Sequence, residues 1–256
     1  MRIAGFQMQS VLGDIDANIS KMQAAAERAA SEGARLLVAP ELALTGYGAD
    51  QAFADLASPA DGPWAEKLSD IARRSDLAIV MGFAERDGED VFNSALFTDS
   101  KGETTVYRKS HLYGPYEKQW FRPDEPCSVL ATVDGIKIGM LICYDVEFPE
   151  NVRRLAKAGA DLVVVPTALP SGWSGRFIAE HMIRVRAFEN QAFVAYINHC
   201  GSDGKFAYAG LSCVAAPDGS FLAEASAEGE SLIIADIDPA AFAKSRAENT
   251  YLSDLR

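Results

Sequence analysis

The chain has 256 residues, a formal net charge of −12 and a hydrophobic fraction of 48%. That length and apolar content suit one domain with a sizeable buried core, and the acidic balance argues against a nucleic-acid partner. The acidity reads first as solubility and second as attraction for a cationic substrate. The opening MRIAGFQMQS lacks the long apolar stretch of a signal peptide. No apolar run approaches the roughly 20 residues that span a bilayer, so a soluble, cytoplasmic protein without a membrane partner is expected.

In chain order, RIAGFQM reads as a strand. A helix over residues 18–32 follows, with Ile19, Met22, Ala26 and Ala29 on one face and Gly33 as its stop. RLLVAP is a short apolar strand ending at Pro40 and Glu41. A second helix is predicted over residues 64–74, then strands at LAIVMGF, VFNSALFT and TTVYRKS, separated by polar, glycine-containing turns. Residues 111–126 are aromatic, contain three prolines and read as a long irregular loop, a feature that in compact domains is usually functional. SVLATVDGIKIGMLIC is a hairpin turning at Asp134 and Gly135, whose second strand runs into Cys143. A helix over residues 149–158, a strand at DLVVVP and a helix over residues 177–190 come next. Strands at AFVAYIN, FAYAGLSCVAA, SFLAEA and SLIIADI precede a last helix in PAAFAKSRAEN. Adjacent hairpins among crossovers exclude a purely parallel sheet and fit two packed sheets with helices outside.

The four cysteines, Cys127, Cys143, Cys200 and Cys213, form no CxxC pair, which argues against a metal or disulfide framework. Cys143 stands at a strand-to-helix junction, where backbone N–H groups and the helix dipole favour a thiolate and an oxyanion. By itself this does not outweigh the ordinary reading of a cysteine as a small buried hydrophobe. His111, His181 and His199 sit in no catalytic pattern, so a base for Cys143 is sought among the carboxylates. Glu41, at the tip of an apolar strand, is the candidate, because desolvation there raises its pKa. Lys109 ends another strand, where a lysine serves as an oxyanion donor or simply as a solvated charge.

PELALTGY, YRKSHLYG and GMLICYDVEFPE occur in that order and resemble the three signature segments of the nitrilase, or carbon–nitrogen hydrolase, superfamily. The resemblance covers nearly the whole chain. It implies an α+β fold, a four-layer α-β-β-α sandwich in a single domain spanning residues 1–256, and assembly as a homodimer or higher homo-oligomer. It implies Glu41 as general base, Lys109 as oxyanion donor, Cys143 as nucleophile and Glu117 as a second glutamate beside the lysine, with no metal or organic cofactor. The backbone N–H of Tyr144 would share the oxyanion. CYDVEFPENVRRLA and RVRAFENQ resemble the short aliphatic amidases of the superfamily, the aminopentanamidases and stereoselective amidases among them. A small primary amide, with or without a distal amine, is the implied substrate. Tyr47, Tyr113, Tyr144 and Trp173 are the candidate pocket residues, although Trp173 and Phe177 read equally well as loop anchors and core. Nitrilases and N-carbamoyl amine hydrolases use the same triad. A non-catalytic interaction protein on this scaffold is a reading that the intact triad opposes.

Overall fold

In the computed structural model, which describes residues 1–255, β1 (Arg2–Gln7) presents Ile3 to one side and Ala4 and Phe6 to the other. This is the period of two that a strand imposes. After it come α1 (Ile15–Ser31), β2 (Leu36–Val38), the short α2 (Ala52–Leu56), α3 (Pro63–Ser75) and β3 (Ala78–Asp87). In β2 and β3 the alternation continues. Leu36, Val38, Ala78 and Val80 join one core, while Leu37, Ile79 and Met81 join another. Strands buried on both faces read as unbroken apolar runs. α1 begins at Ile15, ahead of its expected start, because the Asp14 side chain accepts a hydrogen bond from Ala17 N–H at 3.0 Å.

The first sheet has the order β12-β1-β2-β3-β4-β5, with β4 (Asp90–Thr98), β5 (Thr104–Arg108) and β12 (Ser231–Asp236). Its three central strands are parallel and the outer ones antiparallel. α4 (Gly114–Trp120) lies between β5 and the second sheet. The second sheet has the order β11-β10-β9-β8-β7-β6. Its strands are β6 (Leu130–Val133), β7 (Ile136–Met140), β8 (Leu162–Thr167), β9 (Phe193–Asn198), β10 (Cys213–Ala215) and β11 (Phe221–Glu224). Again the central three, β7 to β9, are parallel.

The two sheets face each other across one core that holds Ile3, Val38 and Val80 from the first and Met140, Val164 and Tyr196 from the second. α1 and α3 cover the outer face of the first sheet through Met22, Ala26, Leu68 and Ile71. α5 (Pro149–Lys157) and α7 (Ile183–Asn190) cover the second through Val152, Leu155, Ile183 and Ala187. The chain therefore has the nitrilase-like α-β-β-α sandwich.

Three expectations need correction, and one short helix lies outside them. The segment over residues 111–126 contains α4, started by Gly114 in the left-handed region (φ 64°) and Pro115 in its first turn. α2 went unpredicted because its five residues carry too short a pattern to show a period. The helix expected over residues 177–190 is instead α6 (Trp173–Phe177), a π-turn and α7. The long strand expected over residues 206–216 shrinks to Cys213–Ala215, because Gly210 and Leu211 take positive φ values of 60° and 56°. α8 (Ala243–Glu248) ends the described helices. Among the described residues no helix is long and apolar enough to cross a membrane.

Candidate active site

Glu41 follows β2 and Cys143 follows β7, so both stand at the carboxyl ends of parallel central strands, one in each sheet. Ligand sites in layered α/β folds gather at such ends. Lys109 follows β5, and Glu117 lies in the first turn of α4. Glu41, Lys109 and Glu117 are all fully buried. The lysine is therefore not a solvated strand-end charge, nor Glu41 an exposed loop acid.

Lys109 Nζ donates to Glu41 Oε1 at 2.6 Å and to Glu117 Oε1 at 2.7 Å. Asn93, on β4, donates to the same Glu41 oxygen at 2.7 Å. Glu41 Oε2 is buried and, among the described residues, has no hydrogen-bond partner. The Tyr47 hydroxyl donates to Glu117 Oε1 at 2.8 Å, and Tyr113 N–H donates to Glu117 Oε2 at 2.9 Å. One ammonium thus faces two carboxylates in a dry cluster.

Burial lifts the Glu41 carboxyl, which Lys109 pulls down and Glu117 pushes up again, and the outcome is a pKa of about 7. For Lys109, burial works against the charge, but Glu117 and Glu41 together overcome it and hold the amine protonated well above its ordinary range. Burial and then the Glu41 charge push the Cys143 thiol up, and Lys109 opposes them only partly. The junction does not make a resting thiolate, as its position before a helix suggested. It makes a neutral thiol that needs a base, beside a carboxylate poised near neutrality.

Cys143 sits in the left-handed region at φ 44°, at the head of a five-residue 3-10 turn, Cys143–Glu147. A non-glycine residue there costs on the order of 1–3 kcal/mol and persists only where its surroundings hold it. Asp145 does the holding. Its fully buried carboxylate accepts from Tyr107 OH at 2.9 Å, Ser110 OH at 2.8 Å, His111 N–H at 2.8 Å and Ile142 N–H at 3.3 Å. The Cys143 turn is thereby tied to the segment that carries Lys109. Sequence reasoning missed Asp145 and Asn93. For Asp145 the signal was its place two residues after the cysteine in CYDVEFPE; for Asn93 a lone asparagine in an apolar strand gave none.

Beyond Tyr47 lies a cavity of about 120 Å³, lined by Tyr47, Tyr113, Tyr116, Ala168, Pro170, Phe206 and Tyr208 with the Gly114–Pro115 turn. The aromatic rings meet edge-on or tilted, Tyr47 with Phe206 at 5.5 Å and Tyr116 with Phe206 at 5.0 Å. Two of the four candidate pocket residues, Tyr47 and Tyr113, line it. Tyr144 does not; its ring packs between Tyr113 (5.2 Å) and Phe148 (5.0 Å) and borders a separate cavity. Trp173 does not either. It is 77% exposed and stacks on Phe177 at 5.3 Å, because the chain contributes Pro170 to the wall and then turns out through Gly172 at φ 122°. His181 lies on that outer face, while His199 is buried beside Glu41. Among the described residues no cluster of three His, Cys, Asp or Glu side chains could hold a metal ion.

The sequence matches the carbon–nitrogen hydrolase family over residues 2–247. A hydrolase of Pseudomonas protegens is 43% identical over 260 residues, covering 100% of this chain and 89% of that protein. An (R)-stereoselective amidase of a Pseudomonas species is 32% identical over 257 residues, covering 100% of this chain and 92% of that protein. A cysteine-to-alanine mutant of the amidase from Nesterenkonia sp. AN1, solved in complex with butyramide, superposes with a TM-score of 0.88 at 36% identity, covering 100% of this chain and 94% of that one. A glutamate-to-glutamine mutant of the same amidase shows the result of Michael addition of acrylamide at the active-site cysteine.

Proposed function

From the premise that the chain belongs to the carbon–nitrogen hydrolase family, we propose that it hydrolyses a short, uncharged aliphatic primary amide to a carboxylate and ammonia, with Cys143 as nucleophile and Glu41 as base. One observation carries the reading. Glu41 has one oxygen occupied by Lys109 and Asn93, while the other is buried and has no partner among the described residues. A carboxylate held near pKa 7 with one free oxygen beside a neutral thiol is a general base waiting for its proton.

Glu41 Oε2 takes the thiol proton as Cys143 Sγ bonds to the amide carbon and the carbonyl electron pair moves onto oxygen. Lys109 has three N–H donors and spends two on Glu41 and Glu117, leaving one for that oxyanion alongside the Tyr144 backbone N–H. Collapse breaks the carbon–nitrogen bond, and Glu41 returns its proton to the departing ammonia. Water, deprotonated by Glu41, adds to the thioester carbon, the carbon–sulfur bond breaks to release the acid, and Glu41 gives its proton back to the Cys143 thiolate. Glu117, bonded to Lys109 and Tyr47, keeps the ammonium in place.

The aromatic cavity supports a short acyl chain. At about 120 Å³ and walled mainly by aromatic rings, it is small for a ligand pocket. Among the described residues no acidic side chain lines it, and Asp203, bonded to the Tyr208 hydroxyl, also accepts from the N–H groups of Gly48, Lys205 and Phe206. An apolar wall of this kind favours an uncharged acyl group over an ω-amino one. The butyramide complex of the Nesterenkonia amidase agrees with that size. Self-association belongs to the same reading, through the α6–α7 face where Trp173, Phe177 and Val185 stand exposed. Light scattering on the purified protein tests it: a dimer mass is expected, and a monomer mass at micromolar concentration contradicts it.

The test of activity is ammonia release from matched panels of short amides, ω-amino amides, carbamoyl amines and nitriles. Turnover should peak at uncharged amides of three or four carbons. A maximum on any of the other three panels would overturn the substrate reading.

A further inference from the structure

The side chain of Glu41 is held by Lys109 and Asn93, but a base also needs its backbone fixed, because its Cα sets where the carboxylate can reach. Two contacts do this, and they come from opposite sheets. The first is at Gly82 on β3. A Cβ added there would lie 2.2 Å from Leu42 N, 2.6 Å from Glu41 Cα and 2.7 Å from Glu41 C. Those are backbone atoms, which cannot swing aside as a flexible side chain does. Gly82 itself has ordinary strand geometry, so what requires a glycine is the close approach of another backbone and not an unusual φ. Its own N–H donates to Pro40 O at 3.1 Å, and its carbonyl accepts from Leu44 N–H at 3.2 Å. The chain carrying Glu41 therefore lies directly across β3, and Leu42 takes φ 48° to make the crossing.

The second contact is His199, which follows β9 in the other sheet. Its Nε2 is 2.7 Å from the Glu41 carbonyl oxygen. A carbonyl only accepts, so Nε2 carries the hydrogen. His199 is 1% exposed and its ring packs beside Tyr208 at 5.1 Å, so the donor has no freedom to turn away. Met8 pairs with His199 and accepts from Cys200 N–H at 3.0 Å, which locks the histidine strand to the end of β1.

We propose that Gly82 and His199 are positioning residues for the base: the glycine admits the Glu41 backbone against β3, and the imidazole pins its carbonyl from the second sheet. The inference rests on the reading of Glu41 as general base. Neither residue lines the aromatic cavity, and among the described residues no hydrogen bond joins either to Cys143, so their loss should act on kcat and much less on KM. A displacement near 1 Å at a catalytic group costs on the order of a hundredfold.

The experiment measures pH–rate profiles for amide hydrolysis in four variants. His199→Leu removes the donor at similar volume, His199→Gln restores an N–H, Gly82→Ala inserts the clashing Cβ, and Glu41→Gln removes the base. Expected are losses in kcat of about tenfold to a hundredfold in His199→Leu and Gly82→Ala, with KM little changed and the acid limb displaced from its wild-type position. His199→Gln should recover most of the rate. Wild-type kcat and acid limb in a folded His199→Leu, alongside an inactive Glu41→Gln, would overturn the positioning role alone. Full turnover in Glu41→Gln would instead overturn the base. If His199→Leu does not fold, Gly82→Ala decides by the same criteria: a displaced acid limb with reduced kcat supports the proposal, and a wild-type profile overturns it.

Discussion

The two sides of Tyr47 are built on opposite principles. On one side, Glu41, Lys109, Glu117 and Asn93 form a buried polar cluster tied by hydrogen bonds, with Glu41 Oε2 and Asn93 Oδ1 left without a partner among the described residues. On the other, rings of Tyr113, Tyr116, Phe206 and Tyr208 enclose an apolar cavity with no free charge on its wall. Hydrogen bonds in a low-dielectric site fix geometry sharply, and a mismatch costs much. Apolar contact discriminates by volume and only gently, at about 1–3 kcal/mol per methylene. Under the proposed function the cluster sets the reaction and the cavity the choice of acyl chain, so the two should respond to mutation independently.

The largest effect tests the cluster. Cys143→Ala should lower hydrolysis by about 10⁴-fold or more while the melting temperature holds, since the truncation removes a single sulfur atom; undiminished turnover would exclude Cys143 as nucleophile. Lys109→Met should cost both activity and about 3–5 kcal/mol of stability, because it leaves two buried carboxylates without a counter-charge. Glu41→Gln should be as inactive but no less stable, since it leaves one ammonium facing one carboxylate. Denaturant unfolding of the pair checks this, and equal destabilisation by both would contradict the charge reading.

On the cavity side, Phe206→Ala should shift the preferred acyl chain longer by one or two carbons and change kcat/KM among amides by about tenfold per methylene, with the pH profile untouched. Tyr47→Phe stands between the two regions. It keeps the ring in the wall and removes the 2.8 Å bond to Glu117, so about a tenfold fall in kcat is expected with acyl preference unchanged. The smallest effect is in pH. Glu41 must be ionised to take the proton, and its pKa is raised to about 7, so kcat/KM should fall as pH drops through that value. An acid limb near pH 4.5, the ordinary carboxyl range, would mean the cluster does not desolvate the base.

Much of this was legible in the sequence. The strand-tip position of Glu41 foretold its desolvation, because unbroken apolar strands such as RLLVAP are covered on both faces. The paired strand-end placements of Lys109 and Cys143 carried less, since nothing in the chain order says that β5 and β7 bring them together across two sheets. The pocket was half legible. Tyr47 and Tyr113 lie within the signature segments PELALTGY and YRKSHLYG and line the cavity. Phe206 and Tyr208 come from an irregular stretch whose shape depends on positive φ values at Gly210 and Leu211 and on the acceptor Asp203, features with no periodic trace. Trp173 was misplaced because an aromatic after the nucleophile segment looks the same whether it faces in or out. His199 was weighed as a base and found wanting; its bond to the Glu41 carbonyl spans 158 residues and is invisible to local pattern.

In the proposed mechanism Cys143 becomes acylated by a short amide. The direct measurement is rapid-quench peptide mass spectrometry of the enzyme turning over butyramide. A butyryl group on the peptide that carries Cys143, absent in Cys143→Ala, is the predicted result. Steady ammonia release with no acyl group on that peptide, or with one on Cys127, Cys200 or Cys213 instead, would contradict it.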